Sequence, residues 1–199
     1  MTWVVLATED ELSEAVGLCL AAEAGLEIGQ QLRRGGSGYL KSKLGSFCEM
    51  AVHQPVLLFT DLDRVKCAPT LVGKWLGAHK RPEKLIFRVA VREVESWLLA
   101  DHDAMRSLLG NRIGKLPPDP DQLPDPKRAL LTLAERAPRS VREDLIASEG
   151  AIASQGLEYN ALLAQMVGKT WRPARAATRS ASLAKARVRL HELAQRLVQ

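Results

Sequence analysis

The sequence is short of several things. Only three of its 199 residues are cysteine, at positions 19, 48 and 67. An odd number spread this widely excludes a disulfide framework and a cysteine zinc site, and predicts three reduced thiols. Long apolar runs are missing although 46% of the residues are apolar, so no membrane-spanning segment is expected. The opening Met1 to Ala7 has no basic flank and runs directly into Glu9, Asp10 and Glu11. That pattern is not a secretory signal, and the expected location is the cytoplasm. The four histidines, at 53, 79, 102 and 191, show no metal-ligand spacing; only His102, between Asp101 and Asp103, has acidic neighbours. Internal repeats and low-complexity tracts are also lacking.

What is present is charge of uneven placement. The net charge is +5, yet from Gly168 onward there are eight basic residues against one acid, Glu192, which leaves the rest of the chain at −2. A basic C-terminal segment carrying Arg172, Arg175 and Arg179 suits contact with a polyanion such as DNA or RNA. The competing reading is a solvated basic helix.

Apolar periodicity predicts alternating strands and helices. Trp3 to Ala7 reads as a buried strand. Thr8 and Glu11 have the spacing of a capping box for a helix to about Ala24, closed by Gly25. Leu26 to Leu32 reads as a short second strand, and Tyr39 to Ala51 as a helix. Pro55 precedes a buried strand, Val56 to Phe59. A helix follows from Ala68 or Pro69 to Leu76, then a strand within Lys84 to Val91 and a helix over Arg92 to Asp101. This order predicts an α/β fold with a mainly parallel sheet over residues 1–114. Five prolines in Lys115 to Pro126 exclude regular structure and mark a linker or strapped loop at 115–126. A helical unit at 127–199 is expected beyond it. Asp125 caps the first helix of that unit, and Ser180-Ala181-Ser182 caps the last.

The chemistry concentrates after Val56 to Phe59. Thr60, Asp61, Leu62 and Asp63 stand at the carboxyl end of that strand, where open parallel sheets place their ligands. Carboxylates at alternate positions repel each other unless a proton or cation lies between them. If the first strand lies parallel beside this one, Glu9 joins Asp61 and Asp63 on one rim. Three hard oxygen donors suit Mg²⁺ or Mn²⁺, an ion that can orient a phosphodiester and help ionise a water. Glu93 or Glu95 lies after the next strand and can complete a metal site or act as general base.

The run of an early Glu9, then Asp61-Leu62-Asp63, then Glu95-Ser96-Trp97-Leu98-Leu99-Ala100-Asp101 resembles the Toprim-like proteins near the OLD-type nucleases, which are linked to bacterial phage defence and mobile elements. The resemblance covers about residues 1–110. It implies Mg²⁺ or Mn²⁺ held by Glu9, Asp61 and Asp63, with Glu95 assisting, for nuclease chemistry on DNA or RNA. It also implies a partner ATPase encoded nearby. The chain departs from the pattern at Asp10, where these proteins commonly have Gly after the first Glu. A domain that keeps the fold as a non-catalytic nucleic-acid or protein binding module is the alternative that this departure suggests.

Val56 to Val65 also resembles the start of haloacid dehalogenase-like phosphatases, in which the first Asp is the nucleophile. In that family the motif sits on the first strand, and here two helices precede it. Finally, Gly35-Gly36-Ser37-Gly38 with Arg33, Arg34, Lys41 and Lys43 is a basic loop suited to a phosphate backbone. It lacks the Gly-Lys-Ser/Thr ending of a P-loop. A mobile loop with Ser37 as a helix cap is the competing reading.

Overall fold

The computed structural model describes residues 3–33, 35–148 and 150–198. Its centre is a four-stranded sheet in the order β2-β1-β3-β4, built from β1 (Val4–Thr8), β2 (Ile28–Arg33), β3 (Val56–Asp61) and β4 (Leu85–Ala90). Every pairing is parallel. The expected α/β architecture is therefore present, with helices on both faces of the sheet.

Period-two alternation divides β1, β3 and β4 between two cores. Val4, Leu6, Leu57, Phe59, Ile86 and Ala90 face one cluster, while Val5, Ala7, Leu58, Phe87 and Val89 face the other. The second core is covered by α2 (Gly36–Ser42), α3 (Leu44–His53) and α4 (Ala68–Leu76). The first is covered by α1 (Glu11–Glu23), α5 (Glu95–Leu99) and α6 (His102–Leu109). It continues without a break into the C-terminal helices α7 (Pro126–Ala134), α8 (Arg139–Leu145), α9 (Tyr159–Lys169), α10 (Pro173–Ala176) and α11 (Ala181–Val198). Residues expected to form a separate unit thus share a core with the sheet. The proline-rich stretch is strapped down. Its Pro117 carbonyl lies 2.9 Å from His102 Nε2, and its Asp121 accepts from Ser180 Oγ and the Ser182 amide, each at 2.8 Å.

Local boundaries depart from the sequence reading in four places. Asp10, not Thr8, caps α1, accepting from the Ser13 amide at 2.8 Å. Thr8 is still paired in β1 opposite Arg33, and the helix opens only at Glu11, so the residue in the capping position is Asp10. The helix expected over Tyr39 to Ala51 is two helices, parted at Lys43 with φ −100° and ψ 4°. Ser37 lies inside α2 instead of capping it; left-handed Gly35, φ 73°, precedes the helix with no side-chain cap. The helix expected from Arg92 begins only at Glu95, and buried Asp101 caps α6 instead of ending α5. Among the described residues no helix is long and apolar enough to cross a membrane, and Cys19, Cys48 and Cys67 are free thiols.

Candidate functional site

The sheet register assembles the rim. Ala7 pairs with Leu58, so Glu9, two residues on, lies level with Thr60. One Glu9 carboxylate oxygen accepts from the Thr60 hydroxyl and from the Asp61 amide, the latter at 3.0 Å. The Glu9 carbonyl accepts from the Gly36 amide at 3.0 Å, which ties the glycine loop to the same rim. On the other side Asp61 pairs with Ala90, and the Asp63 amide donates to the Arg92 carbonyl at 2.8 Å. Asp63 and Arg92 are left-handed non-glycine residues, φ 50° and 64°. Such conformations cost of order 1 kcal/mol each and concentrate at functional sites. The Arg92 guanidinium holds the turn by donating to the carbonyls of Asp63 at 3.0 Å and Val65 at 3.2 Å.

Negative charge accumulates here. Burial raises the Asp61 pKa well above the usual carboxylate range, and Glu95, Glu9, Asp10 and Asp63 push it further the same way. Burial also raises Glu9, against the bonds from Thr60 and Asp61. Glu95 is buried. Its pKa is raised by burial and lowered, less strongly, by Lys127 and by the Tyr159 hydroxyl. The Tyr159 hydroxyl donates to Glu95 Oε1 at 2.9 Å, and Lys127 Nζ lies 3.9 Å from the same oxygen and 4.9 Å above the Tyr159 ring. Glu93 accepts from the Lys127 amide at 2.9 Å. Beside the rim an open cleft of about 600 Å³ is lined by Asp63, Arg64, Val65, Arg92, Glu93, Pro124 and Asp125.

Glu9, Glu93 and Glu95 around Asp61 have raised pKa values, and among the described residues no basic group is bonded to the Asp61 carboxylate. No group of three His, Cys, Asp or Glu side chains stands close enough to hold a metal ion among the described residues. Mg²⁺ asks for less than that, because it keeps several waters and takes one or two carboxylates. Glu9 and Asp61, joined through the Asp61 amide, are the two carboxylates of the rim that the structure brings together.

The Glu95 to Asp101 run has a second role in the fold. Trp97 packs edge-to-face on Phe59, with ring centroids 6.2 Å apart. Its indole N–H donates to Ser182 Oγ at 2.7 Å, and its carbonyl accepts from the Trp171 indole at 3.1 Å. Asp101 accepts from the Arg172 amide at 2.8 Å and from Arg175 Nε and Nη2 at 2.9 and 2.8 Å. This run is where the C-terminal helices dock.

Placement of the expected nucleic-acid contacts is mixed. Arg33 ends β2 and its Nε lies 3.4 Å from Glu14. Ser37 is partly buried, and Lys41 and Lys43 are exposed on the glycine-loop side; Arg34 lies outside the described residues. Arg172, Arg175 and Arg179 are exposed, and each also has a bond to the protein. Arg172 donates to the carbonyls of Trp171 and Lys169 at 2.9 and 3.1 Å, Arg175 bridges Asp101 and the Thr170 carbonyl, and Arg179 reaches the Ala100 carbonyl at 3.3 Å. Their donors hold the fold together, a use that charge counting along the chain does not reveal. Lys127 and Tyr159 were missed beside Glu95, since nothing local in the sequence links α7 and α9 to that residue. Comparison of the chain with protein-family models, with curated proteins and with solved structures returned no match.

Proposed function

We propose that the rim holds Mg²⁺ or Mn²⁺ and that the chain is a Toprim-like phosphodiesterase acting on DNA or RNA, a nuclease or nuclease subunit. One observation carries the reading: Asp61 ends a central parallel strand where burial, and then four other carboxylates, raise its pKa, with Glu9 fixed against its amide. A bound divalent ion would offset that charge, polarise a phosphodiester oxygen and lower the pKa of a coordinated water. Glu9 is oriented by Thr60 and the Asp61 amide, leaving its second oxygen for the ion. The Asp63 turn, held by Arg92, sets the far edge. Glu95 accepts a hydrogen bond from the Tyr159 hydroxyl and its pKa is raised by burial, which suits a group that takes up a proton. The adjoining cleft gives a phosphodiester room to approach. Service in phage defence with a partner ATPase belongs to the same proposal and rests on the resemblance alone.

The test is cleavage of labelled single- and double-stranded DNA and RNA with Mg²⁺, Mn²⁺ or EDTA. Cleavage should need metal and fall at least 100-fold in Asp61→Ala and Asp63→Ala, both still folded. Equal cleavage by both variants removes the assignment. The second reading, a non-catalytic binding module, is favoured by the spread of the carboxylates as they stand. It predicts no cleavage under any condition and no heat on adding metal. The phosphatase reading requires Asp61 on a first strand, and Asp61 ends the third.

A further inference from the structure

The cleft beside the rim does not end at Glu93 and Asp125. The same two residues line a second cleft of about 440 Å³, bounded further on by Lys127, Arg128, Leu131 and Ile146. Clefts with two wall residues in common adjoin, so the pair makes one trough that leads from the Asp63 turn along α7. The shared acids are already engaged. Glu93 Oε2 accepts from the Lys127 amide at 2.9 Å and Asp125 Oδ1 from the Arg128 amide at 2.8 Å. Both therefore offset the positive end of α7 and repel a bound anion less than free carboxylates would.

The cations of the trough divide in two. Arg92 is held by the carbonyls of Asp63 and Val65, and Lys127 stands by Glu95. Arg64 in the first cleft and Arg128 in the second are exposed, and among the described residues neither makes an ion pair. Glu135, the other acid of the second cleft, closes α7 about 10 Å along the axis from Arg128. Apolar surface accompanies the charges, Val65 and Pro124 in the first cleft and Leu131 and Ile146 in the second. Guanidinium forks match phosphate oxygens. Apolar side chains can pack on base faces, which a single strand exposes and a duplex keeps stacked on one another.

We propose that this trough seats a single strand of DNA or RNA, its backbone phosphates on Arg64 and Arg128, and leads it from the rim onto α7. The choice of ligand rests on the function proposed above, so binding is measured in EDTA, where cleavage plays no part. Fluorescence anisotropy with a labelled single strand of about 12 nucleotides compares the wild type, Arg64→Gln, Arg128→Gln, the double variant and a control of equal charge, Arg106→Gln/Arg112→Gln. All four side chains are exposed and make no ion pair among the described residues, so the fold is not at stake. Each single variant should bind about 3-fold more weakly than the wild type and the double variant about 10-fold more weakly than the control. The slope of log Kd against log salt should be smaller by about 1.4 in the double variant, two phosphate contacts at about 0.7 each. Equal affinity in the double variant and the control overturns the trough. A loss confined to one single variant does so as well, since the strand would then occupy one cleft alone. So does a duplex of the same sequence that binds as tightly as the single strand. Cleavage that survives Asp61→Ala while the double variant loses binding removes the metal rim and leaves the trough standing. Cleavage that needs Asp61 while the double variant and the control bind alike removes the trough and leaves the rim.

Discussion

Replacing Asp101 with alanine should loosen the C-terminal helices from the sheet, and the structure sets the size of the effect. Asp101 is fully buried. It caps α6 through the Ala104 amide at 3.3 Å, accepts from the Arg172 amide at 2.8 Å and holds Arg175 with two bonds. Losing the cap costs about 1 kcal/mol. Leaving the Arg172 amide without its acceptor costs about 1 kcal/mol more. The Arg175 side chain is 42% exposed and can turn to water, so its share is about 1 kcal/mol or less. The sum is about 3 kcal/mol, which for a chain of this length lowers Tm by about 6–12 °C. Arg175→Ala leaves the buried Asp101 carboxylate without its charge partner and should cost about 1–3 kcal/mol. Urea unfolding followed by the fluorescence of buried Trp97 and Trp171 measures both. A loss below about 1 kcal/mol in Asp101→Ala refutes the reasoning that one carboxylate serves three separate donors.

Stability should also fall with rising pH. Burial above all raises the pKa values of Asp61, Glu9, Glu93 and Glu95, so the folded state binds more protons than the unfolded one. Their contribution is full below the unfolded carboxylate pKa, about 4, and is lost as pH rises through the raised folded values. In EDTA, Asp61→Asn should therefore melt above wild type at pH 8 and show a shallower decline from pH 5 to 8; identical slopes contradict this. Tyr159→Phe removes the donor that lowers the Glu95 pKa. The acid limb of the cleavage profile should move to higher pH while stability drops by about 1 kcal/mol, and an unmoved limb separates Glu95 from the chemistry.

Legibility in the sequence followed the range of the interaction. Val56 to Phe59, a pure apolar run behind Pro55, announces a strand buried on both faces, and the parallel neighbour that brings Glu9 to Asp61 follows from the strand–helix alternation. Turn chemistry was subtler. Thr8 and Asp10 both suit a cap, and the choice falls to Asp10 because β1 runs through Thr8 and the helix opens only at Glu11. The parting of α2 from α3 at Lys43 has no proline or glycine at that position to signal it. Long-range polar contacts were hidden. Glu95 meets Tyr159 across 64 positions, and Asp101 meets Arg175 across 74. The basic tail therefore read as free when much of it is bonded inward.

Calorimetric titration of Mn²⁺ into the wild type and Asp61→Asn tests the metal rim most directly. One saturable site is predicted in the wild type, weakened at least 10-fold in the variant. Metal at 100 times its Kd should add about 2.7 kcal/mol to wild-type stability. No heat at millimolar Mn²⁺, or the same isotherm from both proteins, contradicts the account.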